Sequence, residues 1–427
     1  MRSYMGTDNL ICVSANVREG AINTPATLDT TLLCDIGDVI NLDPRRVPNE
    51  NEATGKEEVD RIDDLGSLSS WSPKFEKAQP QHLAFLWGYG LGVSTPAAAG
   101  AGYKHTGTPI DGDLDSARSD PSFTAAQRYG DTVLRRRYSS LFVDSFTTKF
   151  ERDKWVSIAG KCKGTGKVDT NVTEEVINAY ADAVSLSLAA NAVQGSDAAT
   201  RLANVQRIRV ELADGVWTEV AYSAVSADTP AAITITSAGG GHVLKNYRVL
   251  YIPAESGWMT FPARVNETPL RVSEMTLKVG GAWSGSAFVG GRSIQSELKS
   301  LEWSFNKNMA IQFVPGAGGA YASSGLRGGR VQVIKLNREF REFILQQHLV
   351  ANDTLGLYVL AEGALYDATY KYQAEAIFPK VGVLSAPISV DGKRLAEAGD
   401  LQVLQHDTYG SVITTVQNLQ TKYAAAA

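Results

Sequence analysis

The sequence has little to react with and little to hold it in a membrane. Three of its 427 residues are cysteine, Cys12, Cys34 and Cys162, which cannot all pair. A disulfide framework is therefore excluded and a reducing compartment is expected. The five histidines, His82, His105, His242, His348 and His406, are scattered, no two at the spacing that puts ligands on one helix face. The cysteines form no zinc-ligand pair. No run of about 20 apolar residues is available to cross a bilayer. The opening MRSYMGTD lacks the apolar core of a signal peptide, so no leader is expected. Cations are not in excess either: 41 Lys plus Arg face 46 Asp plus Glu, a formal charge of −5. That balance argues against a protein that grips nucleic acid through clustered phosphate contacts.

What is present is the material of a packed, β-rich chain. Hydrophobic residues make up 44% and charged residues 20%, enough to bury a core and to exclude disorder as the main theme. The length allows about three domains. Val39 to Leu42 reads as a strand ending at Asp43-Pro44. Asn49 to Asp64 (NENEATGKEEVDRIDD) is polar without apolar period, a long surface loop or arm. Pro80 to Gly92 is crowded with apolar side chains, with Pro near its start and Gly at its end: a short buried helix. Ser94 to Gly102 reads as a connector, and Thr173 to Ile177 as a helix start, since Thr173 can cap and acids fill the first turn. From Ile208 to Ile252 apolar and polar residues alternate around an Asp214-Gly215 turn, the pattern of a small β domain. Further strands are expected at Leu298–Phe305, Ala310–Val314, Val331–Leu336, Leu355–Leu360 and Tyr370–Phe378, the last ending at Pro379. A helix capped by Asn337, with Phe340, Phe343 and Ile344 on one face, is expected between them.

Residues 143–158 and 298–313 align without gaps at an offset of 155, with apolar positions coinciding at 143/298, 146/301, 150/305, 156/311 and 158/313. A duplicated sheet module and two unrelated amphipathic hairpins both account for this.

No motif carries chemistry. Lys163-Gly164-Thr165-Gly166-Lys167 has Lys161 and Val168 where a phosphate loop needs Gly and a magnesium-binding hydroxyl, so it reads as a Gly-rich turn. Asp111-Gly112-Asp113-Leu114-Asp115 starts like a calcium loop, but Ser116 and Ser122 stand at the Gly and Glu positions. Gly280 to Gly285 has the wrong spacing for a nucleophile elbow. Arg135-Arg136-Arg137 reads as a solvated or salt-bridged strand edge.

Several stretches in order resemble the tail tube proteins of long-tailed (siphovirus-like) bacteriophages. They are Pro80-x-His82-Leu83-Ala84-Phe85-Leu86 with Gly92, Tyr103-x-His105, Pro121-Ser122-Phe123, and Tyr138 running into Val143-Asp144-Ser145-Phe146. Leu298-Lys299-Ser300-Leu301 with Asn306 to Asn308, Arg330-Val331-Gln332-Val333, and Ala376-Ile377-Phe378-Pro379-Lys380-Val381 continue the series. The resemblance covers roughly 80–167 and 270–410; the region 170–269 has no counterpart.

The resemblance implies a mainly β fold with a few helices (α+β): a β-sandwich tail-tube module that contributes strands to a ring-shaped lumen barrel, with an inserted small β domain. Residues 1–168, carrying the polar arm 49–64, are the expected first part of the module. Residues 169–269 are the β-rich insert on the tube exterior, and 270–427 the second part or a second, duplicated module. The implied function is a structural virion protein, the major tail tube subunit, whose stacked rings form the channel for DNA delivery. It is not expected to be an enzyme; no catalytic, cofactor or metal residue and no cofactor are assigned. The expected partners are further copies of the chain, other tail proteins at the tube ends, and double-stranded DNA passing without specific binding. Localisation is the virion, after assembly in the host cytoplasm. With four lumen strands per module, six modules give a barrel roughly 50 Å across, whereas three give roughly 25 Å, too narrow for a duplex of about 20 Å once side chains are counted. Six chains are expected per ring, or three if the duplication is real. Six is favoured because Val184, Leu186 and Leu188, one offset before the expected helix, alternate as a strand does. The competing readings are a tail-tip or head-decoration protein that recognises a surface carbohydrate, with Trp217, Tyr222, Tyr247, Tyr251 or Trp258 stacking on sugars, and an enzyme with an unrecognised site.

Overall fold

The computed structural model describes residues 6–53, 57–110, 120–130, 134–213, 215–254, 260–315 and 320–426. It is mainly β, with three α-helices among the described residues: Pro80–Leu91, Ala198–Asn204 and Ile344–Ala351. The chain divides into two compact units. The smaller comprises Met1–Asp8, Arg128–Arg137 and Asp169–Thr260; the larger comprises Asn9–Gln127, Tyr138–Val168 and Phe261–Ala427. The acidic stretch Asp111 to Asp115 and Trp258 lie outside the described residues.

The larger unit is built from two antiparallel layers. In one, Leu134–Glu151 pairs with Ser157–Gly164 on one side and Leu298–Asn306 on the other. The layer continues through Val331–Glu339 to Arg394–Val403, and in the other direction from Ser157–Gly164 to Ile62–Trp71 and Asn41–Pro48. In the second layer Gly92–Ala99, Gly102–Pro109, Ile413–Asn418, Lys371–Ser385, Thr354–Leu365 and Met275–Trp283 follow one another. Lys371–Ser385 joins the layers: residues 373–377 pair with Ile413–Asn418, and residues 381–385 pair with Arg394–Val403. Pro379 sits in the gap between these partners, where a missing N–H costs least. The strand therefore runs on past the proline at which it was expected to end.

Pro80–Leu91 is wholly buried and packs against strands of both layers. Pro80 opens it and Gly92 closes it at φ 94°, as the sequence signals. Its Trp87 Nε1 donates to Thr148 Oγ1 at 3.1 Å, and its Tyr89 hydroxyl donates to the Ser14 carbonyl at 2.6 Å. An all-round apolar helix belongs inside a core.

Five local expectations need correction. Asn41–Pro48 continues through Pro44 and Pro48 as an edge strand, which tolerates proline because one row of its N–H groups has no partner to meet. Its hairpin partner Ile62–Trp71 takes up residues 62–64 of the expected loop. Ser94 to Gly102 is hairpin rather than connector: Pro96 lies in the edge strand Gly92–Ala99, and Gly100 turns at φ 62°. Thr173–Tyr180 is a strand whose residues alternate in exposure, so the acids of the expected helix cap sit along a ladder. Asn337 lies inside Val331–Glu339, and the helix after it starts only at Ile344.

The smaller unit carries its own core. A four-stranded sheet, Thr173–Tyr180, Leu244–Tyr251, Val205–Ala213 and Val216–Glu219, faces a three-stranded one, Ser185–Ser187, Ala232–Ile235 and Tyr222–Val225. Leu186, Ile208, Val210, Ile233, Tyr247, Val249 and Tyr251 fill the space between them.

Candidate functional site

The most regular surface of the larger unit is the outer side of its first layer. Alternation sends Phe146, Phe150, Leu301, Trp303, Phe305, Ile334, Leu336 and Leu401 into the core. The Phe146 and Phe305 rings stack at 5.1 Å, and Trp303 stands edge-on to Phe146 at 5.0 Å and to Phe378 at 5.1 Å. The same alternation leaves small polar and charged residues on the other side, in rows that cross the strands.

One row reads Ser157, Lys149, Glu302, Lys335, Asp400, its charges alternating in sign from strand to strand. Lys149 and Glu302 are 2.8 Å apart. The row on one side is Ala159, Thr147, Ser304, Val333, Gln402, in which Thr147 and Ser304 share a hydrogen bond of 3.2 Å. On the other side lie Glu151, Ser300, Asn337 and Ala398, with Asn337 Nδ2 donating to Ser300 Oγ at 3.0 Å. Opposite charges directly across a ladder attract, so each charge is partly neutralised where it stands. Among these rows and the adjoining exposed Lys161, the cations Lys149, Lys161 and Lys335 balance the carboxylates Glu151, Glu302 and Asp400.

A buried ion cluster fixes the strands behind this face. Arg338 donates through Nε to Glu397 at 2.7 Å, through Nη1 to Glu297 at 2.8 Å, and through Nη2 to the Glu342 carbonyl at 2.6 Å. At the margin, Arg152 and Arg341 hold the Glu339 carboxyl well below the usual range, at about 2.

Both ends of the layer expose apolar side chains. On one side the hairpin of Asn41–Pro48 and Ile62–Trp71 exposes Val47, Ile62 and Leu65, with Val47 and Ile62 on opposite sides of the ladder. Its turn is tied by Asn49, whose side chain bonds Asp60 and accepts from the Arg61 N–H, with Arg61 salt-bridged to Glu52 at 3.0 Å. On the other, Ile388–Asp391 is exposed throughout and presents Ile388 and Val390 beside Leu395. Ile388, Val390 and Leu395 share one side of their ladder, and exposed apolar surface of this kind marks association sites.

The residues singled out in the sequence fall elsewhere. His82 is buried against Phe75, ring centroids 4.0 Å apart, and burial holds its imidazole down at about 3. His105 bonds the Gln420 carbonyl at 2.9 Å and stands edge-on to Tyr423. Among the described residues no group of three His, Cys, Asp or Glu is placed to hold a metal ion. Lys163 bridges to Asp144 at 3.1 Å, and Gly166, at φ +85°, lies so close to Ser67 that a Cβ would come within 2.0 Å of its carbonyl oxygen. Arg137 is salt-bridged to Asp169 at 2.6 Å. Tyr247 and Tyr251 are core residues, whereas Trp217 is on an outer face. The two segments at offset 155 are neighbours: Phe146 pairs with Phe305 and Phe150 with Leu301. Adjacent strands that bury the same face share such a pattern with or without duplication. Their continuations differ, since residues 134–151 fold back on 157–164 whereas 298–306 pairs with 331–339 and 310–312 with 324–326.

The rows themselves escaped the sequence reading. Alternation marks Thr147, Lys149, Glu302 and Lys335 as outward-facing, but only long-range register brings them into line. No family model matches this chain, and no curated protein matches it.

Proposed function

We propose that this chain is a structural protein, the subunit of a bacteriophage tail tube, and that the face of alternating charge lines its lumen. The observation that carries the reading is the face itself: several long strands whose outer side holds short polar residues and self-cancelling charges. A wall for sliding DNA must not offer a cationic stripe, because clustered cations displace phosphate counterions and hold the duplex. The two ends of the layer, a polar hairpin with scattered exposed apolar side chains and an apolar edge at Ile388, Val390 and Leu395, supply unlike surfaces, as head-to-tail ring contacts require. On this reading each chain contributes a single face of four strands, Leu134–Glu151, Leu298–Asn306, Val331–Glu339 and Arg394–Val403, with Ser157–Gly164 beside it. Six chains then close a barrel of roughly 50 Å backbone diameter.

The test is accessibility. A Ser304→Cys variant should react with a bulky polymer-linked maleimide as a monomer and resist it once tubes have formed. Equal reactivity in both states would remove this face from the lumen.

A further inference from the structure

The smaller unit holds a surface that the tube reading leaves without a role. On the outer side of its four-stranded sheet, register brings Asn178, Asn246, Glu211 and Trp217 into one row, each on a different strand. At about 4.8 Å per strand the row is roughly 14 Å long, the reach of a short oligosaccharide.

The next row holds Arg248 and Arg209, whose guanidinium carbons lie 4.4 Å and 5.9 Å from the Trp217 ring centroid. The indole therefore lies against two cations on the outer face of the sheet and stays partly exposed. The polar members of the row are oriented in advance. Asn246 Nδ2 donates to Glu211 Oε2 at 2.8 Å, and Glu211 Oε1 accepts from the Gly215 N–H at 3.2 Å. A depression of about 500 Å³ opens over Asn178, Glu211, Leu244 and Asn246.

The charges on this face are spent internally. Glu174 lies 3.3 Å from Arg209 and 3.6 Å from Arg248, and Arg207 is paired with Glu219. Lys245, which also lines the depression, donates to the Leu212 carbonyl at 2.7 Å, and the face carries no cluster of unopposed cations to draw an acidic polymer.

From this geometry we infer that the smaller unit binds a neutral glycan along the Asn178–Asn246–Glu211–Trp217 row. The apolar C–H face of a pyranose stacks on the open indole, and its hydroxyls exchange hydrogen bonds with the two amides and the carboxylate. A flat aromatic plane beside a few convergent polar groups is the chemistry that such a ligand needs. This inference does not depend on the tube reading.

The test uses the full chain. Native gels containing dextran, mannan or galactomannan, with hyaluronan and alginate as acidic counterparts, are run alongside a glycan array. Retardation by a neutral polymer, or binding to a neutral array glycan, is expected. Trp217→Ala should weaken it by about tenfold or more, and Asn178→Ala should weaken it as well. Circular dichroism of both variants should match the parent, because both side chains lie outside the core. If Trp217→Ala fails to fold, Asn178→Ala alone carries the test. Binding confined to acidic glycans, no binding across the array, or variants that bind like the parent would each overturn the inference.

Discussion

Replacing Arg338 by alanine should cost the larger unit about 3–5 kcal/mol, because it strands two carboxylates inside the protein. The Arg338 side chain is fully buried, as is that of Glu397, and Glu297 is 3% exposed. The substitution removes two charge-assisted contacts and the bond to the Glu342 carbonyl. Gln346 stays 3.0 Å from Glu397, and Arg292, 3.6 Å from Glu297, becomes the nearest remaining cation. Neither replaces a bidentate guanidinium. The loss is a large part of the ~5–15 kcal/mol that holds a typical domain together. Urea unfolding followed through the buried Trp71, Trp87 and Trp303 should show it, the midpoint falling by about 1 M or more at a slope near 3 kcal/mol per molar. Arg338→Lys should fall between parent and alanine variant, keeping the charge but not the fork. A loss below about 1 kcal/mol for Arg338→Ala would refute the assignment of this cluster as the clamp behind the polar face.

Glu267 is buried and accepts from the Gln81 N–H at 2.7 Å, and burial pushes its carboxyl up to about 7. A raised value means that its stabilising contribution is whole below the ordinary carboxylate range and is lost as the pH climbs through about 7. Glu267→Gln should therefore be more stable than the parent at pH 8, by on the order of 3 kcal/mol, with the difference vanishing near pH 4; thermal melts at the two pH values decide it. Gly166→Ala should destabilise by at least ~1–3 kcal/mol, since its φ of +85° and the Ser67 carbonyl both oppose a side chain, and an unchanged melting curve would count against that geometry. Because Pro48 and Ile62 pair directly, residues 49–61 can be replaced by a tight turn. The shortened chain should melt normally yet fail to polymerise in sedimentation assays. Removing 169–260 with a short linker should leave the larger unit folded on its own core, and loss of its cooperative transition would contradict the division into two units.

The sequence was most legible where local and long-range forces agree. Pro80, Gly92 and a run of apolar residues specify a buried helix whatever surrounds it, and the strict alternation from Ile208 to Val220 specifies strands. It misled where tertiary pairing overrides local preference. Thr173 with Glu174 and Glu175 has the chemistry of a helix start, but pairing with Leu244–Tyr251 makes it a strand. Pro44, Pro96 and Pro379 look like chain breaks, and each is accommodated where a ladder bond is not required. The projecting hairpin shows no apolar period because both sides of its far end are exposed. The polar rows of the first layer are illegible for another reason. Lys149, Glu302, Lys335 and Asp400 are separated by up to two hundred and fifty-one positions, and nothing local announces that they will stand side by side.

The central claim is that copies of this chain close into rings whose inner wall is the polar face. Electron microscopy of the purified protein, averaged end-on, tests it most directly. Long hollow tubes with six chains around a lumen wide enough for a DNA duplex are expected. Globular particles that do not self-associate, or rings with fewer than six such faces around the lumen, would contradict it.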